Sequence, residues 1–312
     1  MLNRRFLRIK VMQALYSYFQ HETANAAQFE KDLFKSLDKI YDLYLLILCL
    51  LSDLQHVALV IIDENKNKRL PTSHDITPNL RFTQNSVLES LSKNTELKGL
   101  LERKKLSWQN DFDVVRKLYY EIRDGELYKA YMLSEAHTPK EDREFIINLL
   151  TEHLSEHDVL NSLFEEQNMH WADDSFVAFN SVIRSMEDFD GEYKLQSLLK
   201  DEKDDLEFMS VLFNKTIIYR EQLDEKIGRH TQNWELERIA AMDMLLMEMA
   251  LTEIMHLPNI PVKASLNEYI DISKEYSTPN SKIFVNGVLD KIIAELKRDN
   301  LIEKTGRGLK EN

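Results

Sequence analysis

The sequence predicts an all-α protein, and three observations carry that prediction. Only 7 glycines and 6 prolines occur in 312 residues, so few positions interrupt a helix. Leu, Glu, Lys and Asp dominate the composition. Apolar residues recur at helical spacing, as in Phe284, Val288, Ile292 and Leu296, which form one stripe at four-residue intervals. A chain of this length holds one large domain or two ordinary ones with a sizeable core.

The first helix is expected from Arg4 to Gln20, with Leu7, Val11, Ala14, Leu15 and Tyr18 on one face. A long helical region follows from Phe29 to Ile62. Within it the apolar run Leu43–Leu51 is too short to span a bilayer and reads as a buried helix. The polar stretch Asp63–Asn79, with Pro71 and Pro78, is the expected loop. Helical patterns resume over Leu88–Leu106 and Phe112–Leu133. Thr138-Pro139 then opens another helix, with Glu141 and Asp142 in its first turn, where carboxylates favour the helix dipole.

An ungapped internal repeat at an offset of 63 residues relates 142–190 to 205–253. It pairs Glu144-Phe145 with Glu207-Phe208, Leu149 with Leu212, Leu160 with Leu223, Trp171 with Trp234 and Met186 with Met249. Pro258 and Pro261 bracket a turn, after which Ser265-Leu266-Asn267-Glu268 fits a capping box. Ser277-Thr278-Pro279 supplies a hydroxyl cap and a proline for the last helix. Gly287 inside that helix costs roughly 1 kcal/mol relative to alanine, which points to close approach by another backbone or by a ligand. The tail from Arg298, with Gly306 and Gly308, is expected to be frayed and flexible over 299–312.

Net charge is −13, yet residues 1–21 carry +4 and residues 257–312 carry +1, leaving −18 in the middle. A cationic end on an acidic body is an asymmetry that suits a local nucleic-acid face better than general nucleic-acid binding. The single Cys49 rules out a disulfide framework and fits a reducing, cytoplasmic setting; in its apolar run it is a poor nucleophile. His153 and His157 have ligand spacing on a helix but no clear third ligand. The methionines at 242, 244, 247, 249 and 255 are expected in the core. With no glycine-rich phosphate loop after a strand and no nucleophile elbow, enzyme activity, cofactors and a small-molecule substrate are not expected. The basic N-terminus has no following hydrophobic segment or cleavage site of a secretory signal.

Three segments resemble the NusB family of transcription antitermination factors. Arg4-Arg5-Phe6-Leu7-Arg8-Ile9-Lys10-Val11-Met12-Gln13-Ala14-Leu15-Tyr16 is similar to the family's arginine-rich first helix. Pro261-Val262-Lys263-Ala264-Ser265-Leu266-Asn267-Glu268 is similar to its Pro-Tyr-Lys-x-x-Ile-Asn-Glu segment. Ser281-Lys282-Ile283-Phe284-Val285-Asn286-Gly287-Val288-Leu289-Asp290-Lys291 is similar to its Phe-Val-Asn-Gly-Val-Leu-Asp-Lys signature. Ile9 and Ile283 stand where the family has a glutamate and a lysine.

The resemblance implies a NusB-like bundle of two packed three-helix subdomains, built from 1–20 and 205–298 and enlarged by a helical insert over 21–204. It implies binding of boxA-type single-stranded RNA together with the ribosomal protein NusE, in the RNA polymerase antitermination complex. It also assigns Arg4, Arg5, Arg8, Lys10, Gln13, Lys282, Phe284 and Asn286 to the RNA and Tyr16 to the partner. Phe284 stays open between core and contact, because one stripe serves both. On this view Arg4→Ala with Arg8→Ala weakens RNA binding and flattens its salt dependence while helicity survives. A rival reading is a non-catalytic interaction scaffold that has lost RNA binding. A second rival, an RNA-modifying enzyme, needs a nucleotide-binding domain and a reactive cysteine that the sequence does not show.

Overall fold

The structure, a computed structural model, describes residues 2–135, 137–231 and 239–309. The described residues form fourteen α-helices and no strand. They are α1 (Arg4–Phe19), α2 (Ala26–Lys66), α3 (Ser73–Ile76), α4 (Ser86–Lys93), α5 (Thr95–Lys104), α6 (Phe112–Asp124), α7 (Glu126–Leu133), α8 (Pro139–Leu149), α9 (Asp158–Gln167), α10 (Trp171–Glu187), α11 (Glu202–His230), α12 (Ala241–His256), α13 (Val262–Tyr276) and α14 (Ser281–Arg298). The all-α expectation holds, and α8 starts as expected, with Thr138 accepting from the Glu141 amide and Pro139 at the first helical position.

Two compact units divide the chain. One is Ser36–Leu198; the other joins Leu2–Lys35 to the residues from Leu199 onward.

The first unit is built on the part of α2 from Ser36 on, where Leu43, Tyr44 and Leu45–Leu51 are all buried. Two indoles are fastened to that helix: Trp108 Nε1 donates to the Leu46 carbonyl at 3.0 Å and Trp171 Nε1 to the Lys39 carbonyl at 2.8 Å. The apolar run is part of a 41-residue helix, long and apolar enough by composition to cross a membrane. However, 67% of its most apolar window is buried within the protein. Burial pushes the Cys49 thiol well above its usual range, aided by Asp53, so it stays protonated. His157 Nε2 lies 2.9 Å from Glu121, and no group of three His, Cys, Asp or Glu among the described residues is placed to hold a metal.

The repeated positions have matching environments. Phe145 and Phe208, Leu149 and Leu212, Leu160 and Leu223, and Met186 and Met249 are all buried. Between them α11 is continuous, whereas the earlier segment is interrupted by a π-turn at Leu150–Leu154. Trp234 lies outside the described residues.

The second unit is organised around α12. Eleven of its sixteen residues are buried, because α1, α11, α13 and α14 all pack on it. Met247 and Met249 lie in this core, while Met242, Met244 and Met255 are half-buried. Two expected caps are displaced. Helix α13 begins one turn early, at Val262 after Pro261, because Ser265 and Glu268 are drawn into ion-pair networks instead of a capping box. Helix α14 begins at Ser281, with Asn280 rather than Ser277 before it.

The tail is not frayed as far as Leu309. The Thr305 amide donates to the Pro258 carbonyl at 3.0 Å, and Lys304 Nζ donates to the Leu257 carbonyl at 3.0 Å. Gly308 passes so close to the Pro258 carbonyl that a Cβ would collide with it.

Candidate nucleic-acid interface

An apolar helix buried on every side is an unfavourable place for a carboxylate unless it is paired. Helix α12 holds three such groups at five-residue intervals, Asp243, Glu248 and Glu253, all buried. Each is satisfied differently, and the differences separate structure from site.

Glu253 is fully partnered. Arg8 grips it bidentately, Nε to Oε2 at 2.8 Å and Nη2 to Oε1 at 2.6 Å, while Ser265 and Tyr269 hydroxyls donate at 2.7 and 3.0 Å. Burial pulls the Arg8 guanidinium down, but Glu253 outweighs it and holds the pKa above its ordinary value. Arg8 is only 4% exposed. The expectation that Arg8 contacts RNA is therefore corrected: its guanidinium is spent on a core acid. Lys10 is likewise buried, with its ammonium over the Phe6 ring, and does not present itself to a phosphate.

Arg4 and Arg5 reach the surface, but each is matched by two acids. Arg4 pairs with Asp204 and Asp205 of α11, and Arg5 with Glu268 and Asp271 of α13. The cationic first helix is thus largely neutralised by its neighbours, and only partial exposure leaves it available to RNA. Gln13 is half-buried and Tyr16 is exposed.

Glu248 is the half-solved case. Arg220 Nε lies 3.8 Å from it, but Asp224 crowds it, and burial first and Asp224 second push its carboxyl up to about 8. The folded protein therefore keeps this proton at neutral pH where the unfolded chain has lost it. Its stabilising contribution is complete below the ordinary carboxyl range and is lost as pH rises toward 8. Glu248→Gln is expected to remove that loss, which can reach about 1.4 kcal/mol per pH unit. Denaturation curves across a pH series check this; a variant with the wild-type pH slope overturns it.

Asp243, like Glu248, keeps one buried oxygen without a hydrogen-bond partner. Its Oδ2 accepts from Ser281 Oγ at 2.7 Å, while Oδ1 is buried with no hydrogen-bond partner. It lines a groove of about 630 Å³ formed by the starts of α12 and α14 with the end of α11. Ile283, Phe284, Gly287, Val288 and Lys291 of α14 line the same groove. Ile283 is 69% exposed.

Gly287 lies on this lip. Among the described residues a Cβ built there meets nothing within 4 Å, so packing against them does not require the glycine. Phe284 is half-buried on the groove because Val285, fully buried, takes the core position next to it. Lys282 is exposed and Asn286 is half-buried, its amide donating to Asp290 at 3.1 Å; neither lines the groove.

The residues expected from the sequence do not form one pocket. Among the described residues the groove lining contains none of α1. Arg8 is fixed at Glu253, ten residues and about 15 Å along α12 from Asp243. Asp243 and Lys291 were missed by sequence reasoning. The signal for Asp243 was shared with Glu248 and Glu253, three acids in a largely apolar helix.

Among the described residues the helices present a groove that Phe284 and Asp243 line together, and no metal-binding cluster. Comparison with known proteins places the chain further. The NusB family's sequence profile matches residues 176–294. A transcription antitermination protein NusB of Salinibacter ruber (strain DSM 13855 / M31) is 43% identical over 126 residues, which is 39% of this chain and 79% of that protein. Proteins of the same name from Chloroherpeton thalassium (strain ATCC 35110 / GB-78) and Desulfatibacillum aliphaticivorans are 42% and 37% identical over 103 and 102 residues. Each match covers 33% of this chain, and 49% and 71% of those proteins respectively. No solved structure matches. The chain belongs to the NusB family.

Proposed function

We propose that this NusB-family antitermination factor binds boxA-type single-stranded RNA, with an unpaired base seated in the groove between α12 and α14. The observation that carries this reading is the groove lined by Phe284, Gly287, Val288 and Lys291, all of which lie in the segment that matches the NusB family. A flat base can enter the groove beside Phe284 and Gly287, with Lys291 close enough to meet its phosphate. Lys282 and Lys291 lie beside the groove as phosphate partners, and the part-exposed Arg4 and Arg5 extend the path. The ribosomal protein NusE is the expected co-binder, with exposed Tyr16 on its surface of contact, in the RNA polymerase antitermination complex.

The test is titration of a boxA-type oligoribonucleotide, with and without NusE, across a salt series. Because most of the first helix's cations are already neutralised, two to four phosphate contacts are expected. That corresponds to a slope of about −1.4 to −2.8 in log affinity against log salt. No binding under any condition would leave the scaffold reading standing.

A further inference from the structure

A second cavity, of about 720 Å³, lies at the other end of α14. Its walls come from three places: Val262 and Lys263 in the first turn of α13, Lys297 and Asn300 at the end of α14, and the tail through Lys304 and Gly308. Lys263 and Lys304 line it together with Lys297, which has a partner of its own, and one acid, Glu303, in a protein whose net charge is −13. A cationic hollow is therefore out of keeping with the rest of the surface.

The cavity is held in shape. The tail is pinned by the Thr305 amide to Pro258 and by the Thr305 hydroxyl to Asn259 at 3.2 Å, and Gly308 permits its close approach. Lys304 Nζ gives one of its three hydrogens to the Leu257 carbonyl, leaving two to offer. Burial pulls its pKa down to about 8, which Glu253 only partly offsets, so the ammonium is charged at neutral pH but poorly solvated. Pro261 precedes α13 and makes no side-chain cap, so the positive end of that helix adds to the same field.

We propose that this cavity binds a phosphate group, with Lys263 and Lys304 as its cationic ligands. Two sources supply such a group: the backbone of a bound RNA strand, or a free oligophosphate. The RNA source rests on the reading of the α12–α14 groove. Gly287 and Lys297 are ten residues apart, about 15 Å along α14, and exposed Lys291 lies between them.

The experiment follows backbone amide signals of the full chain, those of Lys263 and Gly308 above all, during titration with inorganic pyrophosphate. Saturable shifts are expected, weakened at least tenfold by Lys263→Glu and by Lys304→Gln. Lys263 is exposed, so its variant keeps the wild-type melting temperature and decides the matter if Lys304→Gln is poorly folded. Single-stranded RNA is then added to the pyrophosphate complex. Displacement assigns the site to the strand's backbone; RNA binding without displacement assigns it to a free oligophosphate. If RNA fails to bind at all, the groove reading falls while a positive pyrophosphate result stands. Linear, non-saturating shifts, or shifts unchanged in Lys263→Glu, would overturn the phosphate site.

Discussion

Arg8→Ala is expected to destabilise the protein by about 3–5 kcal/mol, because it strands a buried carboxylate. Glu253 is fully buried, and removal of the guanidinium leaves its charge with only the Ser265 and Tyr269 hydroxyls. The thermal midpoint should fall by on the order of 10 °C. Any loss of RNA binding would then be confounded with lost stability, so the paired Arg4→Ala, Arg8→Ala variant should melt well below the wild type. The clean probe of the surface cations is Arg4→Ala with Arg5→Ala, whose exposed pairs contribute little to stability. Replacing Arg8 and Glu253 together by apolar residues should recover much of the lost stability, since neither charge is then unpaired. An Arg8→Ala protein that melts like wild type but binds RNA poorly would restore Arg8 to the interface.

That reversal shows what the sequence made legible and what it did not. Helix content, the first helix and the cap at Thr138-Pro139 could be read because they depend on local spacing. The roles of Arg4, Arg5, Arg8 and Lys10 could not, because they depend on which acids the fold delivers. Glu253 comes from 245 residues away and Asp204 from 200. The same non-local demand explains the misplaced capping box: Ser265 and Glu268 have the right spacing for a cap, but Glu253 and Arg5 claim their polar atoms. The membrane argument was right about burial, but its nine-residue run missed that the surrounding helix is long and apolar enough by composition to cross a membrane. Asp243 was legible in principle. An acid inside an apolar helix needs a partner, and only the fold shows that Asp243 lacks one for its second oxygen.

Gly287→Leu separates the two explanations of the signature glycine. If the glycine served packing within the protein, leucine would clash and the melting temperature would drop. The Cβ position is open among the described residues, which argues the reverse. Leucine should raise helix stability by up to about 0.8–1 kcal/mol, since glycine is the poorer helix former. Affinity for boxA-type RNA should nevertheless fall at least tenfold, or about 1.4 kcal/mol, because the side chain would fill the space beside Phe284 where a base is placed. Gly287→Ala should show the same stabilisation with a smaller loss of binding, since a methyl group occupies less of the groove. Asp243→Asn provides an independent check, because it removes the charge while keeping an acceptor for Ser281. A Gly287→Leu protein that is stabilised and still binds RNA at wild-type strength would place the base elsewhere, and the glycine would then need a partner protein's backbone to explain it.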